Sequence, residues 1–581
     1  MKKTLVCLLA LLTACSGEKE AEEQPTFTQE RPSFTGDRSS DVESAIRFSD
    51  ITDEAGIDFI HKNGAFGQKW MPETIGSGGG FFHYNDDAYP DLLLVNSTEW
   101  QGHESGDPLP TTELYVNQGD GSFTSATQQA NLDFSMYGMG VAFADYDADG
   151  DTDIYLTAVG DNKLLRNDNG TFTDVTNAMN VSGNDPASDT PAWSTSAAWV
   201  DVDRDGWLDL FVANYVKWTP ETDIYVTRDG KTKSYATPEG YKGESSRLYK
   251  NLNGRGFEDI TSQAGLENEE GKSLGVAIAD FNADGWPDIA VSNDTQPNFL
   301  YINNGDGTFQ DTAIPAGIGY DENGRARAGM GIDVVDVAND GKLAVAIGNF
   351  SKEPTSLYTQ IGTGELFQDR AGAARLTRPS LLMLTFGVLF ADLDLDGYQD
   401  LIAANGHIEP EINVVQQDIT FEQPPQIFRN LEGRFVEVSD QAGAPFTTPL
   451  VARGIATADI DQDGDLDVLL TVNDGPPRLL RNDSQLEDVN WIAVQLKGLS
   501  PNLHAIGAQV TVWTAGESQT RMVRTGSSYL TQSDHTELLI GLGTHAQADS
   551  VVVEWPTGGM SKIIDVEGGR RHQVDESFTS P

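Results

Sequence analysis

One pattern of acidic residues recurs along this chain with the spacing of a metal-binding loop. Each complete copy has Asp or Asn at positions 1, 3 and 5, glycine at position 6 and Asp at position 9. Alternating carboxylates can turn several oxygens into one concavity, and glycine at position 6 permits the sharp turn. Ca²⁺ takes 6–8 oxygen ligands, which such a loop can supply. The pattern occurs in five complete copies and therefore predicts about five calcium sites. The predicted ligands are Asp145, Asp147, Asp149, Asp151, Asp153; Asp201, Asp203, Asp205, Asp209; Asp280, Asn282, Asp284, Asp288; Asp392, Asp394, Asp396, Asp400; and Asp459, Asp461, Asp463, Asp465, Asp467.

Two further loops depart from this pattern. The first has His83 at position 1 and no glycine at position 6, and the fifth has Ala338 and Ala344 in place of two ligands. We expect the fifth loop to be empty and the first to be weak or empty. The five complete loops lack the His and Cys that zinc or redox metals prefer, and magnesium prefers smaller octahedral shells rich in water. No Glu follows at position 12, so an EF-hand is excluded. We expect the role of the bound ions to be structural.

A longer phrase surrounds each acidic loop and repeats along the middle of the chain. An apolar run precedes the loop, a second apolar run follows it, and a Gly- and Asn-rich turn then joins two further β-runs. Each repeat therefore predicts about four short strands, and such units repeated radially are typical of a β-propeller. The seven loops begin at residues 83, 145, 201, 280, 336, 392 and 459.

The repeats predict an all-β protein with a seven-bladed β-propeller over residues 46–485. The seventh repeat lacks its fourth-strand phrase, and a matching phrase stands before the first loop, at residues 48–52. We expect residues 48–52 to complete the last blade and hide its open edge. Residues 488–575 hold five alternating apolar runs, which predict a small β-sandwich-like domain.

The N-terminus, residues 1–15, indicates an exported protein. Met1 is followed by two lysines and then by an apolar run too short to span a membrane. Residues 12–15 resemble the bacterial lipobox, which would make Cys15 the lipidated first residue. A plain cleavable signal is the alternative. Ser16 after Cys15 indicates the outer membrane of a Gram-negative bacterium, and residues 16–45 predict a flexible tether.

Acids outnumber bases by 89 to 38, giving a net charge of −51. This charge argues against nucleic acid as a partner, because phosphates require clustered Lys and Arg. The chain has only two cysteines, Cys7 and Cys15, so no disulfide joins parts of the fold. The expected partners are the membrane, through the lipid anchor, and a glycan or protein ligand.

The repeated phrases resemble FG-GAP/VCBS repeats, and residues 488–575 resemble the ASPIC/UnbV domain. The second resemblance rests on the phrases at residues 502–510, 524–534, 539–543 and 551–559. The combination is similar to the cartilage acidic protein family and implies a seven-bladed propeller followed by a small β domain. The family's biochemical role is poorly defined, so the resemblance implies neither a ligand nor a reaction.

Three long insertions, at residues 97–112, 215–246 and 405–426, fall between the second and third strands of their repeats. They should therefore lie on the face opposite the acidic loops, and long loops often carry binding residues. We predict a ligand-binding face there. The candidate residues are Trp218, Tyr235, Tyr241 and His407.

Two other functions stay open on the sequence. A glycan-acting enzyme such as a polysaccharide lyase could use His407 with Tyr235 or Tyr241 as base and acid. A passive scaffold is the other alternative. No nucleophile elbow, Walker loop or zinc motif is present, so we assign no catalytic residue.

Overall fold

Small antiparallel sheets recur along the chain and confirm the all-β prediction. The computed structural model describes residues 42–577 except 86, 107, 185–187, 229, 363, 485 and 487. Cys15, the predicted export signal and most of the predicted tether lie outside these residues. Within these ranges, four short α-helices span Thr176–Met179, Ala313–Ala316, Thr377–Ser380 and Ile412–Val415, and four 3-10 turns span Met71–Thr74, Pro220–Thr222, Pro238–Gly240 and Ala444–Phe446.

Seven four-stranded units are found among the described residues, and we number them sheets 1 to 7. In each, a short acidic loop joins the first strand to the second. Their strands, from first to fourth, are Gly79–Phe82, Asp91–Leu94, Glu113–Asn117 and Phe123–Ser125; Gly138–Ala144, Asp153–Ala158, Lys163–Asn167 and Phe172–Asp174; Ser194–Val200, Asp209–Asn214, Arg247–Asn251 and Phe257–Asp259; Ser273–Ala279, Asp288–Asn293, Phe299–Asn303 and Phe309–Asp311; Gly329–Val335, Ala344–Asn349, Ser356–Gln360 and Phe367–Asp369; Thr385–Ala391, Asp400–Asn405, Gln426–Leu431 and Arg434–Glu437; and Ala452–Ala458, Asp467–Val472, Arg478–Asn482 and Phe48–Asp50.

The sheets follow one another around a propeller. The first strand of each sheet packs against the first strand of the next, and the first strand of sheet 7 packs against that of sheet 1. Phe48–Asp50 pairs antiparallel with Arg478–Asn482, so the beginning of the described chain and its seventh repeat share one sheet. Apolar side chains buried between neighbouring sheets form the core, for example Phe82 stacked on Phe143 with their ring centroids 4.4 Å apart.

A hydrogen bond from each sheet to the preceding one accompanies this packing. The third strand ends with Asn in five sheets and has Asn430 as its last residue but one in sheet 6, and each of these Asn side chains donates to the carbonyl at position 2 of the preceding acidic loop. Asn251 donates to Tyr146 O at 2.9 Å, and Asn117 of sheet 1 donates to Ile460 O of sheet 7 at 2.8 Å. In sheet 5 the donor is Gln360, which reaches Phe281 O at 3.0 Å. These bonds run around the whole ring.

The C-terminal region forms two sheets packed face to face. One has the strand order Glu537–Gly543, Asn490–Lys497 and Arg570–Asp575, and the other Glu517–Met522, Gln509–Thr514, Gln547–Glu554 and Met560–Glu567. A short strand, Thr531–Gln532, leaves these sheets and pairs in parallel with Gly79 and Gly80 of sheet 1. A two-stranded hairpin, Val226–Thr227 with Lys233–Ser234, lies in the insertion of sheet 3. None of the helices in the described ranges is long and apolar enough to cross a membrane.

Candidate functional site

Four acidic loops bring three carboxylates together. In each, one oxygen from every member lies within 4.8 Å of the others, a spacing that one cation could bridge. The loop of sheet 4, where Asn282 replaces the second Asp, forms no such group of three acids among the described residues, nor do the loops of sheets 1 and 5. The clusters are Asp145, Asp147, Asp153; Asp201, Asp203, Asp209; Asp392, Asp394, Asp396; and Asp459, Asp461, Asp467.

Several oxygens in these clusters fit a cation because they are buried without a hydrogen-bond donor. Asp147, Asp392 and Asp459 each keep Oδ1 in this state. Burial raises the pKa of Asp145 and Asp459 to about 7 and that of Asp392 to about 8, and the neighbouring carboxylates push each pKa in the same direction. A divalent cation at the cluster would reverse both effects by favouring the charged form.

Basic side chains reach three of the four clusters. Lys250 pairs with Asp203, Arg429 Nε lies 2.6 Å from Asp394 Oδ2, and Arg571 Nη2 lies 2.6 Å from Asp459 Oδ2. The cluster of sheet 2 makes no ion pair among the described residues. It is therefore the cluster that a cation would enter without displacing a protein charge.

The Asp at position 9 has a second task that the sequence pattern did not indicate. Asp153 Oδ2 accepts a hydrogen bond from the Tyr146 N–H at 3.1 Å, and its Oδ1 accepts one from the Asn167 N–H at 2.8 Å. The same pair of contacts recurs in sheets 1, 3, 4, 6 and 7. In sheet 5, where Ala344 replaces this Asp, Gln360 replaces the Asn. The two residues therefore change together.

His83 of the first loop contacts the C-terminal region. Its Nε2 lies 3.6 Å from Asp534 Oδ2, and this contact raises the pKa of His83 to about 9 against the effect of burial. The same contact holds the pKa of Asp534 at about 2, again against burial. The residue that departs from the loop pattern therefore makes an ion pair instead of offering a carboxylate.

Residues 524–534, which we call the central segment, pass through the middle of the ring. Gln532 exchanges two hydrogen bonds with the backbone of Phe143, and Thr525 exchanges two with that of Trp199. Ser528 O accepts a hydrogen bond from the Ile332 N–H at 3.1 Å, and Arg524 pairs with the buried Asp333 at 2.5 Å. The centre of the propeller is therefore filled by its own chain.

Glycines of the repeat phrases allow this close approach. A Cβ on Gly80 would lie 2.3 Å from Gln532 O, and one on Gly454 would lie 2.3 Å from Thr531 Cγ2. Any larger side chain at either position would force the central segment away from its strand.

The C-terminal domain also covers two acidic loops. The Gly541 N–H donates to Asp392 Oδ2 at 3.3 Å, and Arg571 pairs with Asp459, as described above. Loops 6 and 7 therefore connect the ring to this domain, which the sequence pattern did not reveal.

The four residues predicted for a ligand-binding face all lie on the face opposite the acidic loops, but differ in setting. Trp218 and Tyr241 are buried in an aromatic cluster, and each donates a hydrogen bond to the Asp223 carboxylate. His407 is fully buried, and burial with nearby Arg228 and Arg453 lowers its pKa to about 3. Tyr235 lines a cavity of about 400 Å³ and donates to Glu73 Oε2 at 2.8 Å. Their role in binding stays a prediction.

Sequence comparisons agree with this architecture. A family model described as FG-GAP-like repeat matches residues 83–156, 145–212 and 280–347, and one described as ASPIC and UnbV matches residues 498–581. Human cartilage acidic protein 1 is 26% identical over 438 residues, which are 73% of this chain and 60% of the relative. The Xenopus tropicalis protein is 26% identical over 463 residues, 76% of this chain and 64% of the relative. The chain thus spans somewhat less than two thirds of the length of these relatives.

Solved structures with partial likeness include an Agrocybe aegerita lectin specific for non-reducing terminal N-acetylglucosamine. It has 14% identity and a TM-score of 0.35, over 74% of this chain and 93% of the lectin. A Trypanosoma rangeli sialidase has 9% identity and a TM-score of 0.33, over 63% and 56%. The sequence matches carry the conclusion: the chain combines FG-GAP-like repeats with an ASPIC and UnbV domain, and the predicted resemblance to the cartilage acidic protein family is confirmed.

Proposed function

We propose that this protein is an exported, membrane-anchored, calcium-binding propeller that serves as a ligand-binding module of the adhesion type. One observation carries the calcium part: buried carboxylate oxygens without donors converge in the acidic loops. The FG-GAP-like repeats and the ASPIC and UnbV domain support a ligand-binding module. A glycan or a protein is the ligand that we propose.

Calcium would be held by the carboxylates of each cluster. When bound, the ion supplies positive charge that favours the ionised form of these buried carboxyl groups. The cluster of Asp145, Asp147 and Asp153 should bind most tightly, because Lys or Arg competes for the carboxylates in the other three. Affinities of about 10⁻⁴–10⁻³ M are typical of extracellular calcium modules and suit an exported protein.

Equilibrium dialysis of the EDTA-stripped protein against radioactive calcium would test this proposal. Asp147→Ala should lower the number of bound ions by one per chain, because it removes a ligand oxygen and its charge from the sheet 2 cluster. Asp306→Ala is the matched control, since Asp306 is an exposed acid in a hairpin turn outside the loops. Equal stoichiometry in Asp147→Ala and the wild type, or no binding at millimolar calcium, would contradict the proposal.

The proposed anchor is a lipid on Cys15, which would hold the protein in the outer membrane. In the native host, Cys15→Ser should leave the protein unlabelled by radioactive palmitate and move it from the membrane fraction to the soluble fraction. A variant that stays labelled and membrane-bound would contradict the anchor without affecting the calcium proposal.

A further inference from the structure

A cavity of about 400 Å³ lies on the face opposite the acidic loops and is lined by both apolar and polar residues. Phe421, Leu450 and Val451 are among the apolar ones. The polar lining includes Glu73, Asn473 and Arg453, which are all buried. Pockets of this size with a few convergent polar groups are typical of small-molecule sites.

Arg453 carries a positive charge that the protein does not neutralise. Its Nε donates to Thr74 O at 2.9 Å, its Nη1 donates to Ala452 O at 2.8 Å, and its guanidinium lies 4.0 Å from the Phe386 ring centroid. Its Nη2 is buried without a partner, and no carboxylate pairs with it in the described part of the chain. Burial lowers the pKa of Arg453 to about 9, so the guanidinium stays charged at neutral pH. A buried cation in this state favours an anionic partner.

Two buried acceptors without donors belong to residues that line the same cavity. Glu73 Oε1 and Asn473 Oδ1 are both buried and unpartnered, while Glu73 Oε2 accepts from the Tyr235 hydroxyl. Asn473 Nδ2 donates to Glu73 O at 2.9 Å, and Arg453 donates to Thr74 O. The cation and both acceptors are therefore gathered around two consecutive residues of the turn Met71–Thr74.

We propose that this cavity binds a small zwitterion of the α-amino-acid type with an apolar side chain. Its carboxylate would accept from Arg453 Nη2, its ammonium would donate to Glu73 Oε1 and Asn473 Oδ1, and its side chain would contact the apolar wall. This inference rests on the ligand-binding role of this face and goes beyond the glycan or protein ligand proposed above. A neutral sugar would leave the Arg453 charge without a counterion, and a ligand with several negative charges would be repelled by Glu422 and Asp474, which also line the cavity. Burial raises the pKa of Glu73 to about 7, and the ammonium of the ligand would favour its charged form.

Calorimetric titration of the calcium-loaded full chain with four probes tests each half of the ligand. L-leucine carries both charged groups, leucinamide lacks the carboxylate, 4-methylpentanoate lacks the ammonium, and glucose is neutral. We expect saturable binding of leucine, and at least about tenfold weaker binding of each truncated probe, because each loses a charge-assisted hydrogen bond.

Variants locate the binding in this cavity. Glu73→Gln keeps the side-chain shape and should weaken leucine binding about tenfold, while the binding of 4-methylpentanoate should change little. Glu258→Gln, an exposed acid on an outer strand, is the control and should leave leucine binding unchanged. Equal calcium-dependent melting of both variants would show that they are folded.

Three results would overturn the inference, and each has a different consequence for the ligand-binding face and for the calcium proposal. Leucine binding that Glu73→Gln leaves unchanged would place the ligand elsewhere. Saturable glucose binding that Glu73→Gln weakens would keep a ligand site on this face but contradict the zwitterion. No binding of any probe would contradict the inference while leaving the calcium proposal intact.

Discussion

Single residues explain how neighbouring sheets are connected. The aspartates of the acidic loops could be found from the sequence, because their spacing matches a known ligand geometry. The Asn at or next to the end of the third strand in six sheets could not be assigned its role in this way. In the sequence it stands in a Gly- and Asn-rich turn, where Asn is expected for local reasons. Its hydrogen bond to the preceding sheet becomes visible only when the ring is assembled.

This role predicts a large effect from one substitution. In Asn251→Ala the carbonyls of Tyr146 and Leu208 and the N–H of Gly254 each lose a partner, and the first two are buried. We expect the free energy of unfolding to fall by about 2–4 kcal/mol, since buried groups without partners cost about 1–3 kcal/mol each. Asn304→Ala, an exposed residue in a hairpin turn, should change it by less than ~0.5 kcal/mol. Chemical denaturation measures both, and equal effects would contradict the inter-sheet role.

At the scale of elements, the acidic loops combine a metal-ligand pattern with buried carboxyl groups. The pattern predicted their position between the first and second strands, but not the lysine and arginines that contact loops 3, 6 and 7. Lys250 and Arg429 come from third strands, and Arg571 comes from the C-terminal domain. Such contacts depend on the assembled structure, so no local spacing could reveal them.

The loop carboxyls predict how stability depends on pH without calcium. The pKa of Asp145 is about 7 in the folded protein and about 3.9 when unfolded, so the folded state binds more protons between pH 4 and 7. The contribution of Asp145 to the free energy of unfolding therefore falls as pH rises through this range. In EDTA, wild type should lose on the order of 2 kcal/mol relative to Asp145→Asn between pH 4.5 and pH 7.5, as measured by chemical denaturation.

Calcium should counteract that loss, because it binds only the deprotonated carboxylates. With calcium present, the stability of the wild type relative to Asp145→Asn should increase over the same pH range. A wild type whose advantage grows with pH in EDTA would contradict the raised pKa of Asp145.

At the scale of the whole molecule, the C-terminal domain is joined to the propeller by its central segment, residues 524–534. The sequence separated residues 488–575 as a domain of their own, and the two packed sheets have that form. The sequence could not show that residues 524–534 pass through the propeller, since their contacts are made with strands hundreds of residues away. The resemblance to the ASPIC/UnbV domain includes these residues but does not predict that they lie inside the propeller.

This arrangement predicts that a methyl group at the ring centre weakens the whole fold. A Cβ at Gly80 would collide with the backbone of Gln532, so Gly80→Ala should lower the free energy of unfolding by about 2–4 kcal/mol. Gly372→Ala is the control, because its Cβ would meet nothing closer than 3.7 Å. A Gly80→Ala protein as stable as the control in chemical denaturation would show that the central segment does not bind tightly there.

We expect cations bound in the acidic loops to stabilise the propeller fold. A calorimetric melt of the full chain tests this most directly. At pH 7.5, calcium at ten times its dissociation constant should stabilise the fold by about 1.4 kcal/mol per site. The melting temperature in excess EDTA should therefore lie several degrees below that in calcium, and magnesium should not restore it. The same melting temperature in EDTA and in calcium would contradict the claim.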